Sequence, residues 1–164
     1  MNVYQVLVER LAGELNRRNA YIATAESCTG GWISKVLTDM PGSSAWFEYG
    51  FVSYGNNAKV ALLNVDPALI EKYGAVSGEV AEAMVAGALA ASGAQLALAV
   101  TGIAGPDGGT PDKPVGTVWF AFAAAGRGVV SACQHFEGDR DTVRRQTVST
   151  ALSGVLKYLE KSGG

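Results

Sequence analysis

The short apolar run Ala20-Tyr21-Ile22-Ala23 passes without a break into Thr24-Ala25-Glu26-Ser27-Cys28-Thr29-Gly30-Gly31, and from there into Trp32-Ile33-Ser34-Lys35-Val36-Leu37. The first segment has the length and apolarity of a buried strand. In the last, Ile33, Val36, Leu37 and Met40 recur at helical spacing. The segment between them is therefore a strand-to-helix turn, built from hydroxyls and glycines. Such a turn aims backbone N–H groups and the positive end of a helix dipole at one point, where an anion or a developing oxyanion can sit. Ser27 and Cys28 are the nucleophile candidates within it. The plainer reading is that Ser27 or Thr29 caps the helix.

The rest of the chain alternates in the same manner. Val3, Leu7, Leu11 and Leu15 mark an amphipathic first helix. After the break Met40-Pro41-Gly42-Ser43-Ser44, the aromatic run from Trp46 to Tyr54 reads as a strand. Gly55-Asn56-Asn57 turns the chain into a short helix from Ala58 to Leu63. Asp66-Pro67 caps another helix, and Ser77 caps an alanine-rich helix from Gly78 to Ser92, stopped by Gly93. Gln95 to Val100 reads as a central strand that feeds a glycine- and proline-rich loop, Thr101 to Pro114. A stretch of this length without periodicity is a functional-loop signal. Val115–Ala123 and Val129–Phe136 read as an antiparallel hairpin, and a last helix starts near Asp139. The expectation is an α/β fold: a three-layer α/β/α single domain over residues 1–164, its mixed sheet covered by helices on both faces.

Composition narrows the function classes. The net charge of −2 provides no electrostatic footprint for nucleic acid. Two cysteines, Cys28 and Cys133, stand far apart without ligand-spaced neighbours, so neither a metal site nor a disulfide framework is expected. The N-terminus carries no basic and apolar leader, and no apolar run reaches the roughly 18 residues that span a bilayer. A cytoplasmic protein without cofactor, metal or membrane is expected.

The single histidine, His135, lies in an apolar strand and makes a poor general base for a triad. If Ser27 is a nucleophile, lysine is the leading remaining base, because burial or a neighbouring cation lowers its hold on the proton. Lys59 follows Tyr54 by five residues across a turn, and serine, lysine and tyrosine together form an amide-cleaving set in other enzymes. The plainer reading makes Lys59 a solvated helix lysine and Tyr54 a sheet-edge residue. Arg140 and Arg144 lie four apart in the first turns of the last helix, where the macrodipole disfavours cations. An anion such as a phosphate between them would reverse that penalty. Asp139 and Asp141 offer a local alternative.

Ala25-Glu26-Ser27-Cys28-Thr29-Gly30-Gly31, Gly50-Phe51-Val52-Ser53-Tyr54 with Asn57 and Lys59, Gly74-Ala75-Val76-Ser77, and Ala99 to Pro106 with Gly108-Gly109 together resemble the CinA C-terminal domain family. The resemblance runs from the first helix through Gly138-Asp139-Arg140 to the last. It implies the stand-alone form, without the additional N-terminal domain of larger CinA proteins. It also implies hydrolysis of the carboxamide of nicotinamide mononucleotide, a small-molecule nucleotide substrate, by a homo-oligomeric enzyme. Carried over by position, Ser27 matches the nucleophile, and Tyr54 and Lys59 match the family's tyrosine and lysine. Thr101, Gly102, Ile103, Ala104 and Gly105, and Arg140, match ligand-contacting segments, while Thr29, Gly30, Gly31 and Arg144 are candidate substrate contacts from the turn and from the start of the last helix. Ser44 is a secondary candidate from a second serine-bearing segment. The alternative is a catalytically inactive nucleotide-binding module acting through partners in competence or DNA repair.

Overall fold

The five residues of β1, Ile22–Glu26, are all buried, which in a strand this short requires cover on both faces of the sheet. The computed structural model, which describes residues 2–161, supplies that cover. Of the expected domain 1–164, Met1 and residues 162–164 lie outside the described residues. The elements run α1 (Val3–Arg18), β1, α2 (Trp32–Thr38), a short 3-10 turn (Ser43–Ala45), β2 (Phe47–Val52), α3 (Asn56–Leu63), α4 (Pro67–Tyr73), α5 (Gly78–Ser92), β3 (Leu96–Gly102), β4 (Thr117–Ala124), β5 (Val130–His135) and α6 (Arg140–Lys161). The strand order is β2-β1-β3-β4-β5. β2, β1 and β3 are parallel, and β4 and β5 return antiparallel as a hairpin. This is the mixed, doubly covered α/β sheet expected from the alternation of periods.

The two faces are packed differently. Beneath α1, α2 and α6 the sheet presents Ile22, Leu98, Val100, Val118, Phe120 and Phe122. Beneath α5 the central strands present alanines, Ala23, Ala25, Ala97, Ala99, Ala121 and Ala123, with Phe51 and Trp119 packed at the margins. Those small side chains let α5 lie close, with Val80, Ala81, Met84, Val85 and Ala88 buried against them. α3 in turn packs so closely on α5 that a Cβ at Gly87 would meet the Leu63 carbonyl at 1.9 Å. Position 87 is glycine for that reason.

The caps predicted for α4 and α5 are present: Asp66 accepts from the Ala68 N–H, and Ser77 from the Val80 N–H. Strand and helix boundaries shift by one to three residues from the sequence reading, and two of these shifts bear on the site. α3 begins at Asn56 rather than Ala58, because Gly55 is extended and serves as the N-cap. β3 continues to Gly102, since Thr101 and Gly102 pair with Trp119 and Val118. No helix among the described residues is long and apolar enough to cross a membrane.

The order 2-1-3 decides where a ligand can go. From β1 the chain crosses through α2 to β2 on one side. From β2 it crosses back through α3, α4 and α5 to β3 on the other side. In open parallel sheets a crevice forms outside the carboxyl ends of the strands at such a reversal. Here those ends are Glu26 of β1 and Gly102 of β3.

Candidate active site

A cavity of about 300 Å³ opens at this crevice, within the size range of small-ligand pockets. Ser27, Cys28, Tyr54, Asn56, Lys59, Ala75, Val76, Thr101 to Gly105, Asp107, Gly108 and Arg140 line it.

Ser27 is the first residue after β1. Its N–H donates to the Val100 carbonyl of β3, so the end of β1 is tied to its neighbour. Its hydroxyl does not cap α2. That task falls to Glu26, whose buried carboxylate accepts from the Thr29 hydroxyl (2.6 Å), the Ile33 N–H (2.8 Å), the Ser34 N–H (2.9 Å) and the Ser34 hydroxyl (2.8 Å). The expected anion site at the start of α2 is thus corrected: a carboxylate of the chain itself occupies it. The N–H groups of Cys28, Thr29 and Gly31 are left without a partner among the described residues.

Lys59 lies in α3 and is 1 % exposed. Its Nζ donates to Ser27 Oγ (3.0 Å), to the Ser53 carbonyl (3.0 Å) and to the Tyr54 carbonyl (2.9 Å). No carboxylate is among these partners, and Glu26 is turned toward α2. Burial lowers the lysine's hold on its proton below that of an ordinary lysine, with Cys28 acting in the opposite direction. A neutral amine has two N–H bonds and one lone pair. In that form, N–H bonds on the two carbonyls turn the lone pair to Ser27 Oγ, whose hydroxyl in this structure donates to the Tyr54 carbonyl (3.3 Å). Cys28, although adjacent, is a different case, because burial pushes its thiol up to about 12. That thiol stays protonated near neutrality and is a weak nucleophile.

Tyr54 is corrected in one respect. Its side chain is 57 % exposed, and its phenol accepts from Arg140 Nη2 (3.3 Å) rather than reaching Lys59. The backbone carbonyl of Tyr54 is what meets the amine, because the chain leaves β2 extended and directs the ring outward. Arg140 also donates to the Gly105 carbonyl (2.7 Å), tying α6 to the glycine-rich loop. Thr101 holds the opposite wall through a bond to the Ala75 carbonyl (2.9 Å).

Several sequence candidates fall outside the cavity wall. Thr29 is fully buried with its hydroxyl on Glu26, and Gly30 and Gly31 form the back of the turn at φ +58° and +105°. Arg144 is also behind the turn: its Nε donates to the Cys28 carbonyl (3.0 Å) and its Nη2 to the Thr29 carbonyl (3.2 Å). The arginine pair therefore does not converge on one point. Ser44 is exposed in the 3-10 turn before β2, whose first residue pairs with Ile22. Parallel pairing puts Ser44 at the opposite end of the sheet from Ser27 and corrects its assignment. Asn56, the first residue of α3, also lines the cavity and was not among the sequence candidates. Asp107 was also missed, its loop offering no periodicity that could orient it. Among the described residues no group of three His, Cys, Asp or Glu side chains is arranged to hold a metal.

The chain is similar to known proteins over nearly its whole length. The model of the CinA C-terminal domain matches residues 4–159. A nicotinamide-nucleotide amidohydrolase PncC of Pseudomonas putida is 55 % identical over 157 residues, spanning 96 % of this chain and 98 % of the relative. The protein of that name from Escherichia coli K12 is 52 % identical, spanning 89 % and 88 %. Among solved structures, the competence/damage inducible protein CihA from Agrobacterium tumefaciens superposes with a TM-score of 0.92 at 40 % identity, over 96 % of both chains. On these matches, and on a fold that agrees from the first helix to the last, the chain belongs to the CinA C-terminal domain family.

Proposed function

We propose that this chain is an amidohydrolase that converts nicotinamide mononucleotide to nicotinic acid mononucleotide and ammonia, with Ser27 as nucleophile and Lys59 as general base. The relatives' names suggest the substrate. The observation that carries the chemistry is the 3.0 Å contact between Lys59 Nζ and Ser27 Oγ, made by a buried amine whose other partners are two carbonyls.

In this reading Lys59 takes the hydroxyl proton as Ser27 Oγ attacks the carboxamide carbon. The carbonyl electrons move onto oxygen, where the free N–H of Cys28, the residue of the turn that lines the cavity, stabilises the charge, at roughly 3 kcal/mol per donor in comparable sites. Collapse of the tetrahedral adduct breaks the C–N bond, and the proton held by Lys59 leaves with the nitrogen as ammonia. Water then attacks the Ser27 ester, losing a proton to Lys59, which returns it to Ser27 Oγ as the acid departs. Tyr54 contributes its carbonyl to Lys59 and its phenol to Arg140, which faces the nucleotide from the rim.

Ammonia release from nicotinamide mononucleotide by the purified protein, with and without a chelator, tests the reading. Wild type is expected to be active and unaffected by chelation, whereas Ser27→Ala binds the nucleotide and releases no ammonia. An active Ser27→Ala protein would overturn the assignment.

A further inference from the structure

We infer that Arg144 is a positioning residue for the nucleophile turn, gripping the carbonyls of Cys28 and Thr29 from behind so that Ser27 Oγ stays within reach of Lys59. The inference rests on the proposed role of Ser27. It replaces the expectation that Arg144 binds substrate, since Arg140 lines the cavity and Arg144 does not.

The grip has three parts. Nε and Nη2 hold two successive carbonyls at 3.0 and 3.2 Å, the forked geometry that suits a guanidinium and not an ammonium. The guanidinium lies 5.7 Å from the centre of the Trp32 ring, and Trp32 is itself held edge-on by Tyr4 at 6.4 Å. Tyr4 donates to the Arg145 carbonyl of α6, so α1, α2 and α6 close around the arginine. Position 30 is also shaped to it: a Cβ there would stand 3.3 Å from Arg144 Nη2, at a backbone angle that favours glycine.

The mechanical consequence follows from peptide planarity. In a trans peptide the N–H points opposite to the C=O. Holding the Cys28 carbonyl therefore fixes the plane of the Cys28–Thr29 peptide, one residue beyond Ser27. Holding the Thr29 carbonyl likewise fixes the Gly30 N–H, which donates to the Ser27 carbonyl at 3.0 Å. Glu26 holds the donors on one side of the turn and Arg144 the acceptors on the other. The placement of a cation in the first turns of α6 is also explained, because carbonyl oxygens supply the negative partner that the helix end does not.

The test is steady-state kinetics on variants, in a wild type already shown to release ammonia and to lose that activity in Ser27→Ala. Failure of either control would sink the proposed function and, with it, the role given to Arg144, whereas the variants that follow bear on Arg144 alone. Arg144→Ala is expected to lower kcat by about 10- to 100-fold, the scale of a misplaced reacting group, with KM near wild type. Arg144→Lys is expected to recover little of it, whereas millimolar guanidinium restores part of the kcat of Arg144→Ala and methylammonium does not. Arg145→Ala, which removes only the ion pair with Asp141 on the exposed side of the same helix, stays near wild type. A raised KM with unchanged kcat in Arg144→Ala would instead make Arg144 a substrate ligand. Full activity in Arg144→Lys would reduce its role to charge. Either outcome overturns the inference. If Arg144→Ala fails to fold, the kcat of Arg144→Lys decides alone.

Discussion

Two glycine-bearing segments leave the carboxyl ends of adjacent parallel strands and meet at the cavity, and they are held in opposite ways. The turn after β1 has its carbonyls on Arg144, its hydroxyl and helix-start donors on Glu26, and its first N–H on β3. The loop after β3, residues 103–116, is closed at its neck by the Ile103 and Gly116 bonds. Beyond the neck it is fastened at Gly105 by Arg140 and at Lys113, whose amine donates to the Tyr73 carbonyl. Its tip from Pro106 to Asp112 is exposed. The turn therefore resembles preorganised catalytic backbone, and the loop a wall that adapts to what enters. On the proposed function, chemistry and recognition are divided between them.

The sharpest way to test that division is Lys59→Arg, on the chemical side. It preserves charge and removes a releasable proton, so kcat is expected to fall by about 10²- to 10⁴-fold while the nucleotide still binds. Wild-type kcat is expected to rise with pH through one ionisation below the ordinary lysine value of about 10.4. A rising limb at or above that value would remove Lys59 as base. The same shift has a stability consequence whose sign is fixed. The folded state holds this proton less tightly than the unfolded state, so Lys59 costs stability at low pH. That cost is recovered as pH rises from the lowered folded value toward that of free lysine. The Tm of wild type relative to Lys59→Met is therefore expected to improve between neutral pH and pH 10.

Glu26→Gln should come next in size. Each carboxylate oxygen accepts from two donors, so any orientation of the amide sets its NH2 against another donor. A loss of about 2 kcal/mol, or about 4–8 °C in Tm, is expected together with a fall in kcat. A drop in Tm without a change in kcat would show that the turn's rigidity does not matter for turnover.

On the loop side, Lys113→Ala is expected to raise KM less than about fivefold, with kcat and Tm close to wild type, as for one part-buried charged contact. If kcat falls as far as in Glu26→Gln, the proposed division of labour fails. The smallest effect is expected at Cys28. With its thiol buried and pushed up to about 12, native protein treated with iodoacetamide at pH 8 should be modified at the half-buried Cys133 and not at Cys28. Mass spectrometry decides this, and Cys28→Ser should turn over near the wild-type rate.

What was legible in the chain was local. Asp66-Pro67, Ser77 and Gly93 marked helix ends correctly because a cap is made by residues two to four positions away. The run from Ala20 to Leu37 announced a strand, a turn and a helix, and with them Ser27 as a group at the end of a central strand. Arg144 was visible as an anomaly, a cation at the wrong end of a helix. Its partners were not, since Cys28 and Thr29 lie 116 and 115 residues away. Glu26 read as a strand residue, and its role as the cap of α2 required the turn to fold back upon it. Ser44 was placed by resemblance and displaced by geometry, because parallel pairing carries it to the far end of the sheet, whereas Tyr54 stays on the cavity wall but turns its ring outward to Arg140 and meets Lys59 through its carbonyl. Periodicity and capping determine elements, as both depend on neighbours in sequence. The meeting of Lys59 with Ser27, and of Arg144 with the turn behind it, depends on strand order and helix packing, which only the folded chain specifies.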